Sequence, residues 1–431
     1  MTTPSAAPAP ARDRRYRRKV LFLLSSATFF EGYDTFVLAF VLALVLGDLG
    51  GSESDAGLIR AITASGAAVA FLLSARADRI GRKRLLMITI VGYTLAGALT
   101  ALSPGLIWLT VAQFLAQVFL GAEWAVAITI VVEEFPREER GRALGVVTSM
   151  NVLGGVFVGV LGFVGITSTP LGWRAYYVVG LLPLLLIALG RRGMLETERF
   201  EAVQHDEASR GLDRVSLWEA WRPEFRTTVL AVGLVTFFRY FVVSAGAFWW
   251  AYYAQQEVGM SVSRSAMYLG AAGLVGAAGF LVASRLMDRI GRRRAFLVYM
   301  SGALVFGTWT FQVTDAAVML PVLCLSIFFA LGSVAITSAF SVEPFPTYVR
   351  SRASAWCRNA FEVPGGILGA LVVGQLGDHV TGPIGSIGDA MSLVTIAMLP
   401  AAMAVCWRFV PETKGDDLVA LDATVAAELM W

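Results

Sequence analysis

The stretch ADRIGRKR at 77–84 returns as MDRIGRRR at 287–294. A second pair, EEFPREERGRA at 133–143 and EPFPTYVRSRA at 343–353, aligns Glu133 with Glu343, Arg140 with Arg350 and Arg142 with Arg352. Both pairs are offset by 210 residues. Two independent motifs at one offset make the chain two copies of a single unit in parallel repeat.

What lies between the motifs is apolar. Of 431 residues, 56% are hydrophobic and 16% charged, against about 25% charged in soluble domains. Twelve stretches reach membrane-spanning length: 20–47, 56–75, 85–103, 106–132, 143–166, 174–190, 227–254, 265–284, 295–313, 317–341, 353–376 and 390–410. A membrane β-barrel would alternate its polarity residue by residue in short segments instead. The expected fold is an all-α membrane protein with twelve transmembrane helices in two six-helix bundles.

Charge placement gives the expected orientation. ARDRRYRRK at 11–19 precedes the first span, and the basic loops 77–84, 136–142, 288–294 and 349–352 alternate with loops nearly free of Lys and Arg. By the positive-inside rule the basic loops and both termini are cytoplasmic. The other loops hold Asp48, Glu53, Asp55, Asp315 and Asp378. The basic N-terminus is read as a topology signal, and no nucleic-acid partner is expected. MTTPSAAPAPA lacks the apolar core and cleavage pattern of a signal peptide, so the first span is expected to stay in place. The organisation is then a basic N-terminus (1–19), a first bundle (20–190), a cytoplasmic linker (191–225), a second bundle (226–410) and a cytoplasmic tail (411–431). The expected setting is the plasma or inner membrane, with the chain working as a monomer.

Several chemistries are excluded. Cys324, Cys357 and Cys406 fall in spans at no metal-ligand spacing and read as packing residues. His205 and His379 fall in loops, which rules out an intramembrane histidine relay. There is no H-E-x-x-H, no nucleophile elbow and no phosphate-binding loop, so neither an enzyme nor an ATP-driven pump is expected. No cofactor or metal is implied.

The duplicated D-R-x-G-R-[KR]-[KR] loops resemble the major facilitator superfamily over nearly the whole chain. GYDT (32–35), GWR (172–174), LETERF (195–200) and PETKG (411–415) are similar to its sugar-porter and metabolite–proton symporter branches. The resemblance implies a secondary transporter working by alternating access, with a small molecule and a proton as its partners. It also implies a cytoplasmic gate of Asp78, Arg79, Gly81, Arg82, Glu133, Arg140 and Arg142, repeated as Asp288, Arg289, Gly291, Arg292, Glu343, Arg350 and Arg352. Gly81 and Gly291 let the chain turn sharply. Asp78 and Asp288 end helices, where an anion needs a cation, and the resemblance places those cations among Arg140, Arg142, Arg350 and Arg352.

Inside the spans lie Glu31, Asp34, Glu123 and Glu362, with Arg239 and Arg358. Such groups face the bundle interior or a wet cavity and are functional candidates. Glu31 and Asp34 share a helix face, and Arg358 and Glu362 have the spacing to pair along one helix. Arg60 and Arg174, nearer the span ends, can snorkel. The family's branches place an Arg on span 4 twenty residues before the loop Glu, where this chain has Gln113. Glu123, in GAEWAV, resembles a stretch of the metabolite and sialate symporters. A carboxyl desolvated without a cation favours its protonated form, so Asp34 is expected to carry the proton, coupled to Glu31 or Glu123. The opposing reading is a fixed ion pair of Asp34 with Arg60 or Arg239.

Arg239, Arg358, Glu362, Gln113, Trp249, Tyr252 and Tyr253 are the candidate substrate residues. Guanidinium forks match a carboxylate, which favours an organic acid or zwitterion. A sugar or polyol, an organic cation held by Glu362, and a transporter-like nutrient sensor stay open. The aromatic end of span 7 suits a ligand wall or an interfacial belt. The span-5 stretch 145–162 lacks the proline that exporters of the superfamily carry, which favours uptake.

Overall fold

The computed structural model describes residues 14–74, 82–135, 137–191, 217–379 and 386–414. Among the described residues the structure is helical, with no strand. In chain order the helices are α1 (Arg14–Leu49), α2 (Glu53–Ser74), α3 (Arg82–Ala101), α4 (Leu106–Glu134), α5 (Arg137–Val164), α6 (Arg174–Arg191) and α7 (Pro223–Gln256). They continue with α8 (Val262–Ile290), α9 (Arg292–Thr310), α10 (Ala316–Phe340), α11 (Thr347–Trp356), α12 (Val363–His379) and α13 (Ile387–Phe409). Two short 3₁₀ turns lie at Ile166–Ser168 and Leu217–Trp221, and Cys357–Glu362 forms a π-helical turn between α11 and α12.

The apolar runs become helices because only a helix satisfies its own backbone in lipid, and polar residues set where they start. Ser52 Oγ accepts from Asp55 N at 3.2 Å while Asp55 Oδ2 accepts from Ser52 N at 3.0 Å, a reciprocal cap on α2. Ser261, Asp315 and Ser386 cap α8, α10 and α13, each side chain accepting one backbone N–H of the first turn. Among the described residues, nine helical segments are long and apolar enough to cross a membrane. The expected spans 56–75, 174–190 and 295–313 fall on α2, α6 and α9, which are helical but outside that set. The histidine expected in a loop, His379, is the last residue of α12, a boundary difference of the size usual at helix ends.

The chain divides into two compact units. One comprises Met1–Val37, Gly66–Val158 and Thr169–Asp213; the other comprises Leu38–Ser65, Gly159–Ser168 and Arg214–Trp431. In the first, α3 packs on α4 and α6, and two apolar clusters, around Leu24, Leu85 and Val131 and around Ile90 and Leu120, fill its interior. The helices α1 and α5 cross at glycines. A Cβ on Gly32 would run into the Asn151 backbone, and one on Gly154 into the Phe29 backbone, the small-residue contact that brings membrane helices close.

In the second unit α7 packs on α12 and α13, and α8 and α9 pack on α10. The outer parts of α1, α2 and α5 join them. Gln255 Nε2 donates to Phe40 O at 3.2 Å, Gln375 Nε2 to Ser54 Oγ, and Ser263 Oγ to Gly162 O at 2.7 Å.

Candidate functional site

In the first unit, 7% of the Asp34 surface on α1 is exposed. Among the described residues no lysine or arginine pairs with it; its hydrogen-bonding neighbour is the Tyr93 side chain on α3. Tyr93 is buried and has both Asp34 and Glu123 as electrostatic neighbours. Glu123, on α4, is buried as well. Tyr177 on α6 also faces Asp34, and its hydroxyl is buried without a hydrogen-bond partner. Tyr33 turns away and donates to Tyr176 O at 2.7 Å. Asp34 therefore has phenols, Tyr93 and Tyr177, as its neighbours, and Glu123 is a further electrostatic neighbour of Tyr93. Glu31 is only partly buried.

Gln113 is ten residues from Glu123 on α4, which is about 15 Å along the helix. Its Nε2 donates to Thr100 Oγ1 at 3.1 Å, near the Arg174–Ser103 O bond of 3.0 Å. The structure uses it to tie α4 to α3.

In the second unit, Arg239 on α7 is 1% exposed. Its Nη2 donates to Glu362 Oε1 at 3.1 Å, with the glutamate side chain 28% exposed. The guanidinium carbon lies 5.5 Å from the Tyr240 ring centroid. Nε and Nη1 are buried without a hydrogen-bond partner. The pairing of Arg358 with Glu362 expected from α-helical spacing is corrected here. Glu362 closes the π turn, where Val363 N donates to Arg358 O, five residues back. The wider turn changes the angular step between side chains. Glu362 faces Arg239, and Arg358 is exposed.

The aromatic end of α7 serves packing. Trp249 is fully buried and donates to Ala370 O at 3.1 Å; Tyr253 donates to Val313 O at 3.3 Å and lies against Phe311. Tyr252 hydrogen-bonds Glu53. Neither a lipid-facing belt nor a ligand wall describes Trp249 and Tyr253, because each polar atom is engaged by backbone outside α7, of α12 for Trp249 and of the α9–α10 connection for Tyr253.

At the loop end of the second unit, Gly291 has φ of +94° and makes the turn from α8 to α9, a region that favours glycine. Arg292 donates to Glu343 through Nε at 2.9 Å and Nη2 at 3.1 Å, and meets Asp288 at 3.3 Å. The partner of Asp288 is thus Arg292, and not Arg350 or Arg352 as the resemblance implied. Four residues on and across a tight turn, Arg292 reaches it without bridging two loops. Arg350 Nε donates to Phe345 O instead, at 3.1 Å. The tail clasps this loop: Glu412 accepts from Arg292 N at 2.7 Å and Arg293 N at 3.0 Å, Thr413 Oγ1 bonds Glu343, and Lys414 Nζ donates to Arg289 O at 2.7 Å. Asp78, Arg79 and Gly81 lie outside the described residues, as do the side chains of Arg82, Glu133, Arg140 and Arg142.

Sequence reasoning named Asp34, Glu123, Arg239 and Glu362 but missed Tyr93, Tyr177 and Tyr240. The available signal was that a tyrosine deep in an apolar span needs a partner for its hydroxyl.

A chain of long apolar helices with charges buried among them is an α-helical membrane protein by class. Residues 24–370 match the Major Facilitator Superfamily, and the chain belongs to that family. It is therefore a multi-pass membrane transporter and not an enzyme. It is 27% identical to the niacin transporter NiaP of Acinetobacter baylyi, over 94% of this chain and 97% of the relative. It is 25% identical to the sialic acid transporter NanX of Escherichia coli, over 88% of this chain and 91% of the relative. The inward-open xylose transporter XylE from E. coli superposes with a TM-score of 0.74 at 18% identity, covering 94% of this chain and 99% of that one. That likeness speaks for the fold alone.

Proposed function

We propose that the chain is a twelve-span, proton-coupled symporter for the uptake of a small organic anion. The observation that carries the reading is Arg239. A buried guanidinium with one nitrogen on Glu362 and two without partners offers N–H donors to a carboxylate, and bidentate carboxylate binding is what this side chain does best. Niacin and sialic acid, the substrates in the relatives' names, are both carboxylic acids. Glu362 is already engaged by Arg239, which speaks against an ammonium substrate held there.

Asp34 carries the proton in this reading. It is buried without a cation, and Tyr93 links it toward Glu123. Substrate and proton enter together, so a monoanion moves without net charge. The Asp288–Arg292–Glu343 cluster, clasped by the tail, is the cytoplasmic gate of the second bundle (226–410), and its repeat equivalents serve the first (20–190). Basic loops and both termini lie in the cytoplasm, with the chain acting as a monomer in the inner or plasma membrane.

The test is internal pH in proteoliposomes while carboxylates, sugars and amines are added outside. Acidification with carboxylates alone supports the proposal. Alkalinisation means antiport, acidification with sugars or amines means another substrate class, and labelled uptake without a pH change means uniport. Each of those overturns it.

A further inference from the structure

Arg60 is a membrane-embedded cation with no role in the scheme above. It lies on α2 in the same compact unit as α7 and α12. Its guanidinium carbon is 5.8 Å from the Phe248 ring centroid. Its Nε is buried without a hydrogen-bond partner, and among the described residues no carboxylate pairs with it. The residue as a whole is half-buried, and its guanidinium lies over an aromatic face, a favourable seat for the cation that still leaves the charge without a counter-ion.

Tyr240 connects it to Arg239. The Tyr240 side chain is an electrostatic neighbour of both guanidiniums. Tyr240, Ser244 and Phe248 are four residues apart and share one face of α7; the stripe is about 12 Å long. Arg239 stands at its Tyr240 end and Arg60 over its Phe248 end. Two cations are thus set along one face of α7, and among the described residues the one carboxylate paired with either, Glu362, is on Arg239. The missing charge is one anion.

We infer that Arg60 is a second anion-binding residue, which engages the substrate carboxylate at the Phe248 end of this face of α7, apart from Arg239. The inference rests on the organic-anion reading and adds a position to it.

The experiment is calorimetric titration of the full chain in lipid nanodiscs with nicotinate, benzoate and sialic acid, alongside nicotinamide as a neutral isostere of the first. Arg60→Gln is expected to weaken carboxylate binding at least tenfold while nicotinamide binding, where measurable, stays unchanged. Arg60→Met, an apolar chain suited to lying against Phe248, gives the same result if the Gln variant fails to fold. Equal losses for nicotinate and nicotinamide would make Arg60 a packing residue and overturn the inference. Wild-type carboxylate affinity in the Arg60 variants, with loss in Arg239→Gln, would overturn it while leaving the organic-anion reading standing. If none of the carboxylates binds the wild type, both fall.

Discussion

Asp34 and Arg239 are both buried charges, each in its own packed unit, and their surroundings differ in kind. Around Asp34 the polar groups are phenols, one of which, Tyr93, also has Glu123 as an electrostatic neighbour. Around Arg239 there is one carboxylate, a ring face and two N–H groups without partners. Phenols can exchange a proton with a carboxyl but cannot neutralise it. A carboxylate fixes an arginine in place yet leaves most of its fork available. The first surrounding suits a site that gains and loses a proton; the second suits one that holds an anion.

The contrast breaks most readily at Asp34. Asp34→Asn is expected to remove concentrative uptake altogether in proteoliposomes while counterflow exchange of substrate persists. Loss of both together, with the protein still folded, would make Asp34 part of the substrate site. Next in size is Arg239→Gln. It leaves Glu362 without its partner and is expected to weaken carboxylate binding by about 2 kcal/mol or more, read by titration. Equal weakening of a neutral isostere would show that Arg239 only holds α7 to α12.

Tyr93→Phe sharpens the acidic side. It keeps the ring and removes the hydroxyl that neighbours Asp34 and Glu123. Substrate affinity is expected to stay within about twofold while concentrative uptake slows by about tenfold, 1.4 kcal/mol. Unchanged uptake would mean that Glu123 takes no part in moving the proton.

The smallest effect concerns a third acid, Glu257, at the end of α7. Burial raises its carboxyl above the ordinary glutamate value of 4.5, against the lowering effect of the Ile387 and Gly388 N–H groups. A raised carboxyl gives stability that is full below the unfolded value and is lost as pH rises through the folded one. The melting temperature is therefore expected to fall as pH rises through the window just above 4.5, and Glu257→Gln to flatten that fall. A wild-type profile flat across the window would count against the raised value.

The helical fold class was legible because lipid forces long apolar runs into helices. Asp34 and Arg239 were legible for a related reason: a charge stands out against 56% hydrophobic composition. Their partners were not. Tyr93 acts through a hydroxyl at one end of an otherwise apolar ring, and nothing in an apolar span says which helix it faces. Asp288 found Arg292 through the turn at Gly291, a geometry that the residue types alone do not distinguish from a bridge to Arg350. The tail was quoted as PETKG, yet its clasp on Arg292, Arg293 and Arg289 depends on where the chain returns after α13.

The π turn at Cys357–Glu362 carries a consequence for how this protein is compared with its relatives. Such a turn is what a helix becomes when one residue is inserted and both flanks keep their places. Deleting one residue there would restore the α spacing with both flanks in place and re-aim only the side chains within the turn, Glu362 among them. A relative could keep both Arg239 and Glu362 in an alignment and still lose the contact between them through a single gap. At this position, residue count is inherited information as much as residue type.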